Sequence, residues 1–298
     1  MIMQTVKLVD AVKKTGAKRV MVQLPMGLRT KTAEIAGALK KEGIDATLAL
    51  NPCYGACDLA DEEAKQAGCA LLIHVGHSKF YRDFETAVPV IYFPWVQDVE
   101  LQDVDFSAMK EEKIGLLTTI QHLSILSDVK KSLEAQSKQV VVGGQVLGCW
   151  FVNAEKIADS VDAFLYVGSG RFHPLGVRGK KVYALDIERQ EIEEVDTAAL
   201  EKRRYANIYN ATNARTFAVL VTTKKGQNNL IGKAEQLKAS IEARGREAFI
   251  VVMNEISDMT LAGVRADAFV NTACPRIVED HFSRPIINAD DLEKVLGG

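Results

Sequence analysis

Apolar residues fall along the chain in short blocks, and most blocks are followed by a stretch with helical spacing. Val20-Met21-Val22-Gln23-Leu24 is an apolar run closed by Pro25-Met26-Gly27. Leu28, Ile35, Ala36 and Leu39 then share one helical face, with Lys31, Lys40 and Lys41 off it and Gly43 ending the pattern. Thr47 to Leu50 reads as the next strand, and Asp58 as the cap of a helix reaching Ala67. Ala70 to Val75 reads as a third strand, Val88 to Phe93 as a fourth. Strands alternating with amphipathic helices predict an α/β fold with a parallel sheet covered on both faces.

The order recurs. Lys113 to Thr118 is a strand, 121–136 a helix with Leu126, Val129 and Leu133 on one side, and Gln139 to Val142 a strand leading through Gly143-Gly144. Ala163 to Val167 is a strand ending in Gly168-Ser169-Gly170, and Lys181 to Leu185 is the fourth. After a charged helix around Glu201 to Arg204 a third copy follows. It has strands at Phe217 to Val221 and Glu247 to Val252, a helix over 229–244 carrying Leu230, Ala234, Leu237 and Ile241, and a strand at Ala268 to Val270. Residues 285–288 supply a last strand and 289–296 a closing helix. The period of roughly 100 residues suits small domains rather than a solenoid. The expectation is three similar small parallel-sheet α/β domains, 1–105, 106–204 and 205–298, packed around a central site.

With 47% hydrophobic and 26% charged residues, the 298-residue chain is ordinary globular material. A net charge of −2 gives no general reason to expect nucleic acid or an anionic membrane as partner. No apolar run approaches the ~20 residues of a membrane span. The start reads as an amphipathic helix rather than a signal peptide, so a cytoplasmic location is expected. There, five cysteines point to buried thiols, catalysis or metal rather than a disulfide framework.

Three of them sit in loops just past the carboxyl end of a strand-like run, one in each expected domain. These are Cys53 in Asn51-Pro52-Cys53-Tyr54-Gly55, Cys149 in Leu147-Gly148-Cys149-Trp150, and Cys274 in Thr272-Ala273-Cys274-Pro275-Arg276. Ligands of parallel sheets gather at such ends. A single cysteine is more often a small buried hydrophobe than a ligand, and Cys69, at a strand entrance, is assigned to packing. Cys57 makes a C-x3-C pair with Cys53, and its role stays open. The position where a local radical-SAM motif needs its third cysteine holds Ala60, and no short zinc spacing is present. Three thiolates on a four-iron cluster leave one iron open, which favours chemistry over electron transfer alone.

Several longer strings carry a resemblance. They are Gln23-Leu24-Pro25-Met26-Gly27-Leu28, Asn51 to Asp58, Ile73-His74-Val75-Gly76-His77-Ser78, Gly143 to Cys149, Gly168-Ser169-Gly170-Arg171-Phe172-His173-Pro174, and Ala273-Cys274-Pro275-Arg276. In this order they resemble the archaeal diphthamide synthase family (Dph1/Dph2), across essentially the whole chain. The resemblance implies that Cys53, Cys149 and Cys274 hold a [4Fe–4S] cluster and serve catalysis. It implies an unconventional radical use of S-adenosylmethionine (SAM). The 3-amino-3-carboxypropyl group would pass to C2 of a histidine on translation elongation factor 2, the first step of diphthamide biosynthesis. A homodimer and an unidentified electron donor are implied with it.

Around such a site, Arg276 suits the SAM carboxylate, although a surface salt bridge is the plainer reading. Gly143, Gly144, Gly168 and Gly170 allow close backbone approach, or simply turns. Gln23, Pro25, Met26 and Gly27 suit the adenine or ribose, or a strand-to-helix turn. His77 and His173 would seat the incoming imidazole, or make structural hydrogen bonds. Two other readings stand beside this one: an iron–sulfur enzyme like quinolinate synthase, and a non-catalytic three-unit scaffold with buried thiols.

Overall fold

The computed structural model describes residues 2–97, 99–227 and 231–297. By its internal contacts the chain divides into two compact units, Met1–Val195 and Asp196–Gly298. The first unit holds two sheets. Its first sheet is built from β1 (Arg19–Gln23), β2 (Asp45–Ala49), β3 (Leu71–Val75) and β4 (Val90–Phe93), in the order β2-β1-β3-β4. All its pairings are parallel. Alternation along the strands sorts the side chains. Val20 and Val22 pack with Ile73 and Val75 against Leu8 and Val12 of α1 (Ile2–Lys13) and Ile35 and Leu39 of α2 (Thr32–Lys41). Met21 and Leu72 face the other way, onto Ala64 of α3 (Asp61–Gln66) and Cys69.

The second sheet repeats the plan with β5 (Lys113–Thr118), β6 (Gln139–Gln145), β7 (Ala163–Gly168), β8 (Lys181–Asp186) and β9 (Glu191–Glu194), ordered β6-β5-β7-β8-β9. Here α4 (Leu126–Ala135) covers one face through Leu126, Val129 and Leu133, and Ala154 of α5 (Val152–Ile157) lies on the other. Val104, Phe106 and Met109 pack into this second core. The register of β5 on β6 shifts between Leu116 and Leu117, a bulge opposite Gly143-Gly144. The added strand β9 is antiparallel and has one apolar residue, Ile192, so the sequence pattern carried no sign of it.

The second unit opens on α6 (Ala198–Ala211), which runs unbroken through residue 204 and packs Ile208 and Ala211 into the core of the third sheet. That sheet comprises β10 (Thr216–Thr222), β11 (Glu247–Met253), β12 (Ala268–Asn271) and β13 (Ile286–Asn288), ordered β11-β10-β12-β13 and wholly parallel. Helices α7 (Ile231–Glu242) and α8 (Leu292–Leu296) complete it; Leu230, expected on α7, lies outside the described residues. Asp291, almost fully buried, receives a two-pronged contact from Arg204 (2.8 and 2.7 Å), which ties α6 to the start of α8. All three sheets thus order their first four strands as second, first, third, fourth.

One sequence expectation fails locally. Asp58 does not cap α3, whose N-cap residue is Ala60; the Asp58 carboxylate accepts instead from the Tyr54 backbone N–H (3.4 Å). Asp58 stands two residues ahead of that N-cap position.

Candidate active site

In the first unit the site begins where β1 and β3 end side by side. Gln23 and His74 are register partners, and both are buried although polar. The Gln23 amide Nε2 donates to the Asp58 carbonyl (2.8 Å), while its Oε1 accepts from the Ala60 N–H (3.2 Å). Those backbone groups fix which end of the amide is oxygen. His74 Nδ1 lies 2.8 Å from that oxygen and must therefore donate. His74 Nε2 is then an acceptor and takes the Nδ1–H of His77 at 3.0 Å. Burial, and for His74 the neighbouring His77 as well, lowers the two pKa values to about 3 and about 4, so both rings are neutral at neutral pH. Cys53 joins them: one donor atom from each of Cys53, His74 and His77 lies within 4.8 Å of the others. Gln23 thereby positions both the Cys53 loop and the histidine pair.

Gly76, between the two histidines in sequence, has φ of +95°, and a Cβ there would lie 3.0 Å from Pro25 Cγ. This close approach is why glycine stands there, and it holds the Pro25-Met26-Gly27 turn against the histidine loop. Met26 itself is largely exposed.

Cys149 follows β6 in the same unit. A side chain at Gly148 would collide with the Phe172 ring, so the Gly168–Phe172 loop lies on the Cys149 loop. Trp150 stacks on Tyr81 with centroids 5.9 Å apart, and Arg82 covers the Tyr81 ring at 5.1 Å. Burial, then the charge of Cys149 and of Cys57 and a hydrogen bond with Cys149, push the Tyr81 hydroxyl pKa above its ordinary range; Arg82 acts the other way. Tyr81 therefore links the loop of Cys57 to that of Cys149. Two amides join the sheets of this unit: Gln121 Nε2 donates to the Gly76 carbonyl (2.5 Å), and Gln145 Nε2 to Ser78 Oγ (2.8 Å).

Not every glycine belongs to this centre. A Cβ on Gly143 would strike Ile157 and Leu117, and one on Gly168 would strike Tyr166, so packing accounts for both. Gly144 and Gly170 have φ of +87° and +72° with open space around the missing side chain. His173 stacks on Tyr166 (6.0 Å) and meets the edge of Phe172 (5.3 Å).

In the second unit Cys274 follows β12, and its carbonyl accepts from Asn271 Nδ2 (2.9 Å). Arg276 is buried and paired with Glu279 (2.5 Å). Lys224, buried two residues past β10, pairs with Glu255 (2.5 Å). Cys53, Cys57, Cys149 and Cys274 are partly exposed, Cys69 is buried, and none of the five is in a disulfide. Thiol sulfur is the donor that iron–sulfur clusters take. Partly exposed thiols in loops at strand carboxyl ends fit that demand, whereas Cys69 sits in a packed core.

Sequence reasoning passed over His74, Tyr81, Trp150, Lys224 and Glu255. For His74 a signal existed, a titratable residue inside an otherwise apolar run. The others gain their meaning only from neighbours distant in sequence.

The family model for diphthamide synthesis proteins matches residues 24–298. The 2-(3-amino-3-carboxypropyl)histidine synthase of Pyrococcus horikoshii is 36% identical over 98% of this chain and 89% of its own. Subunit 1 of the enzyme of the same name from Caenorhabditis elegans is 27% identical over 97% of this chain and 78% of its own. A crystal structure of Dph2 from Pyrococcus horikoshii superposes with a TM-score of 0.87 at 35% identity, covering 98% of this chain and 90% of that one. A second, of Dph2 from that organism with a 4Fe–4S cluster, gives 0.85 with the same coverage. No helix among the described residues is long and apolar enough to cross a membrane.

Proposed function

The chain belongs to the diphthamide synthesis family, and on that premise we propose that it is a 2-(3-amino-3-carboxypropyl)histidine synthase, a transferase. The observation that carries the reading is its 36% identity to a synthase of that name over 98% of the chain. The co-substrate is SAM and the acceptor is C2 of a histidine imidazole on translation elongation factor 2. The products are the 3-amino-3-carboxypropyl histidine, methylthioadenosine and a proton. The protein works in the cytoplasm as a homodimer, supplied by a separate electron donor.

Each of the three sheets, in this reading, forms one domain that contributes one cysteine, and Cys53, Cys149 and Cys274 would hold a [4Fe–4S] cluster. When bound, that cluster would supply one electron to the SAM sulfonium, breaking the bond from sulfur to methionine Cγ, and would regain one as the imidazole adduct sheds its C2 proton. The chain's own task is alignment, since a different bond at the same sulfonium must be kept away from the electron source. Gln23 secures the Cys53 loop through Asp58 and Ala60. Pro25, Met26, Gly27, Gly144 and Gly170 border the co-substrate, and Arg276 takes its carboxylate in exchange for Glu279. His77 and His173 guide the incoming imidazole.

Iron and labile sulfide are to be quantified after anaerobic reconstitution of Cys53→Ala, Cys149→Ala, Cys274→Ala and Cys69→Ala. The first three are expected to lose the cluster and the fourth to keep it; a normal cluster in any of the first three overturns the ligand assignment. Incubation of the wild type with SAM, reductant and elongation factor 2 is expected to yield methylthioadenosine and a modified histidine by mass spectrometry. An intact reduced cluster with neither product would overturn the function.

A further inference from the structure

The donor atoms of Cys53, His74 and His77 are gathered within 4.8 Å of one another inside the first unit alone. Two imidazoles and one thiol are the donor set of a mononuclear zinc-type ion rather than of an iron–sulfur cluster. His74 already shows the outer-shell pattern of a metal-ligating histidine: its Nδ1–H is held by the Gln23 amide oxygen, and Nε2 is turned towards His77. The His74 and His77 nitrogens stand 3.0 Å apart. Two nitrogens on a tetrahedral zinc ion, at about 2.0–2.1 Å from it, are separated by roughly 3.4 Å, so a shift of about 0.4 Å admits the ion.

Register adds a further reason to read His77 as a ligand position, one that borrows the reading of Cys274 as a ligand and is not needed for the site. Val20, Ile114 and Phe217 pair with Leu71, Ala163 and Ala268 in their three sheets. The same step along the chain from each of those partners reaches His77, Ser169 and Cys274. His77 thus occupies in the first sheet the slot that Cys274 occupies in the third.

We propose that the cluster-free chain binds one divalent cation of the zinc class through Cys53 Sγ, His74 Nε2 and His77 Nδ1, with water as fourth ligand. On binding, the His77 proton moves from Nδ1 to Nε2 and the Cys53 thiol proton leaves to solvent, so one proton is released per cation. The site needs neither Cys149 nor Cys274. Because Cys53 is also a ligand in the cluster reading above, a bound cation blocks cluster assembly; this consequence rests on that reading, whereas the site itself does not.

The test is anaerobic titration of the full, cluster-free chain with Co2+, a coloured stand-in for Zn2+. One equivalent is expected to bind with the visible bands of four-coordinate cobalt and a thiolate-to-cobalt band in the near ultraviolet. Cys53→Ser should remove the thiolate band. Gln23→Leu should weaken binding about 10–100-fold, and His77→Ala and His77→Gln should weaken it further. Cys149→Ala and Cys274→Ala should bind as the wild type does. Tryptophan fluorescence confirms that each variant is folded, and the two His77 variants guard against a folding failure in either. Absence of stoichiometric binding, a thiolate band that survives Cys53→Ser, or equal loss in Cys149→Ala overturns the site. In a separate arm, one equivalent of Zn2+ added before iron and sulfide should block reconstitution, and a chelator should restore it. Unimpeded reconstitution with Zn2+ still bound would overturn the shared use of Cys53 and leave the Co2+ result to decide the site.

Discussion

Replacing Gln23 with Leu nearly conserves volume and removes three buried hydrogen bonds, those to Asp58, Ala60 and His74. Each partner is left inside the protein without its mate. At about 1 kcal/mol net per bond, and more for a group left unsatisfied, the loss comes to about 3 kcal/mol. The chain has two tryptophans, Trp95 and Trp150, and both lie in the first unit. Their fluorescence therefore follows the unfolding of that unit. With a urea dependence of about 2–3 kcal/mol per M, the midpoint should fall by roughly 1–1.5 M. A double-mutant cycle with His74→Leu should return a coupling of about 1 kcal/mol, because the second change removes the donor that the first one strands. A midpoint shift below about 0.3 M, or strictly additive changes, would refute the claim that Gln23 holds the site together.

Acidification tests the neutral histidine pair. The unfolded chain titrates both rings near pH ~6.5, whereas the folded values are about 3 and about 4. Below ~6.5 the unfolded state binds more protons, so stability is complete above that pH and falls as pH drops towards 4. The slope is about 1.4 kcal/mol per pH unit for each ring, and His77→Asn should remove one share of it; a flat profile between pH 4 and 6.5 would count against burial as the cause. In the second unit, Asp291→Asn breaks the contact between Arg204 and the start of α8, at a cost of about 2 kcal/mol. Faster amide exchange across Ala198–Ala211 and Leu292–Leu296 reports it, and unchanged exchange rejects it. Gly76→Ala forces a side chain into positive φ against Pro25, costing about 1–3 kcal/mol in the same fluorescence assay; a neutral effect would mean that the turn is free to relax.

Much of the fold is legible because its strands are buried on both faces. Ala163 to Val167 is an unbroken apolar run in the sequence and is buried at every position. The strand β9 escapes because a sheet edge made of Glu191, Glu193 and Glu194 buries almost nothing. The cysteine loops are legible from their place after each run, since backbone ends and glycine or proline neighbours are local facts. The Gln23–His74–His77 chain is not. It depends on β1 and β3 being register partners across a stretch that includes two helices and a strand, so two polar residues that look misplaced singly satisfy one another only in the folded sheet. The link from Tyr81 to Trp150 and Cys149 is hidden for the same reason: it crosses from one sheet to the next.

The shared strand order of the three sheets has a consequence for ancestry. A single primordial unit copied twice would have carried its cysteine along in one fixed loop. Cys53 and Cys149 obey that expectation, each following the second strand of its sheet, but Cys274 follows the third. On that premise Cys274 is no counterpart of Cys53 and Cys149 and arose at a loop of its own.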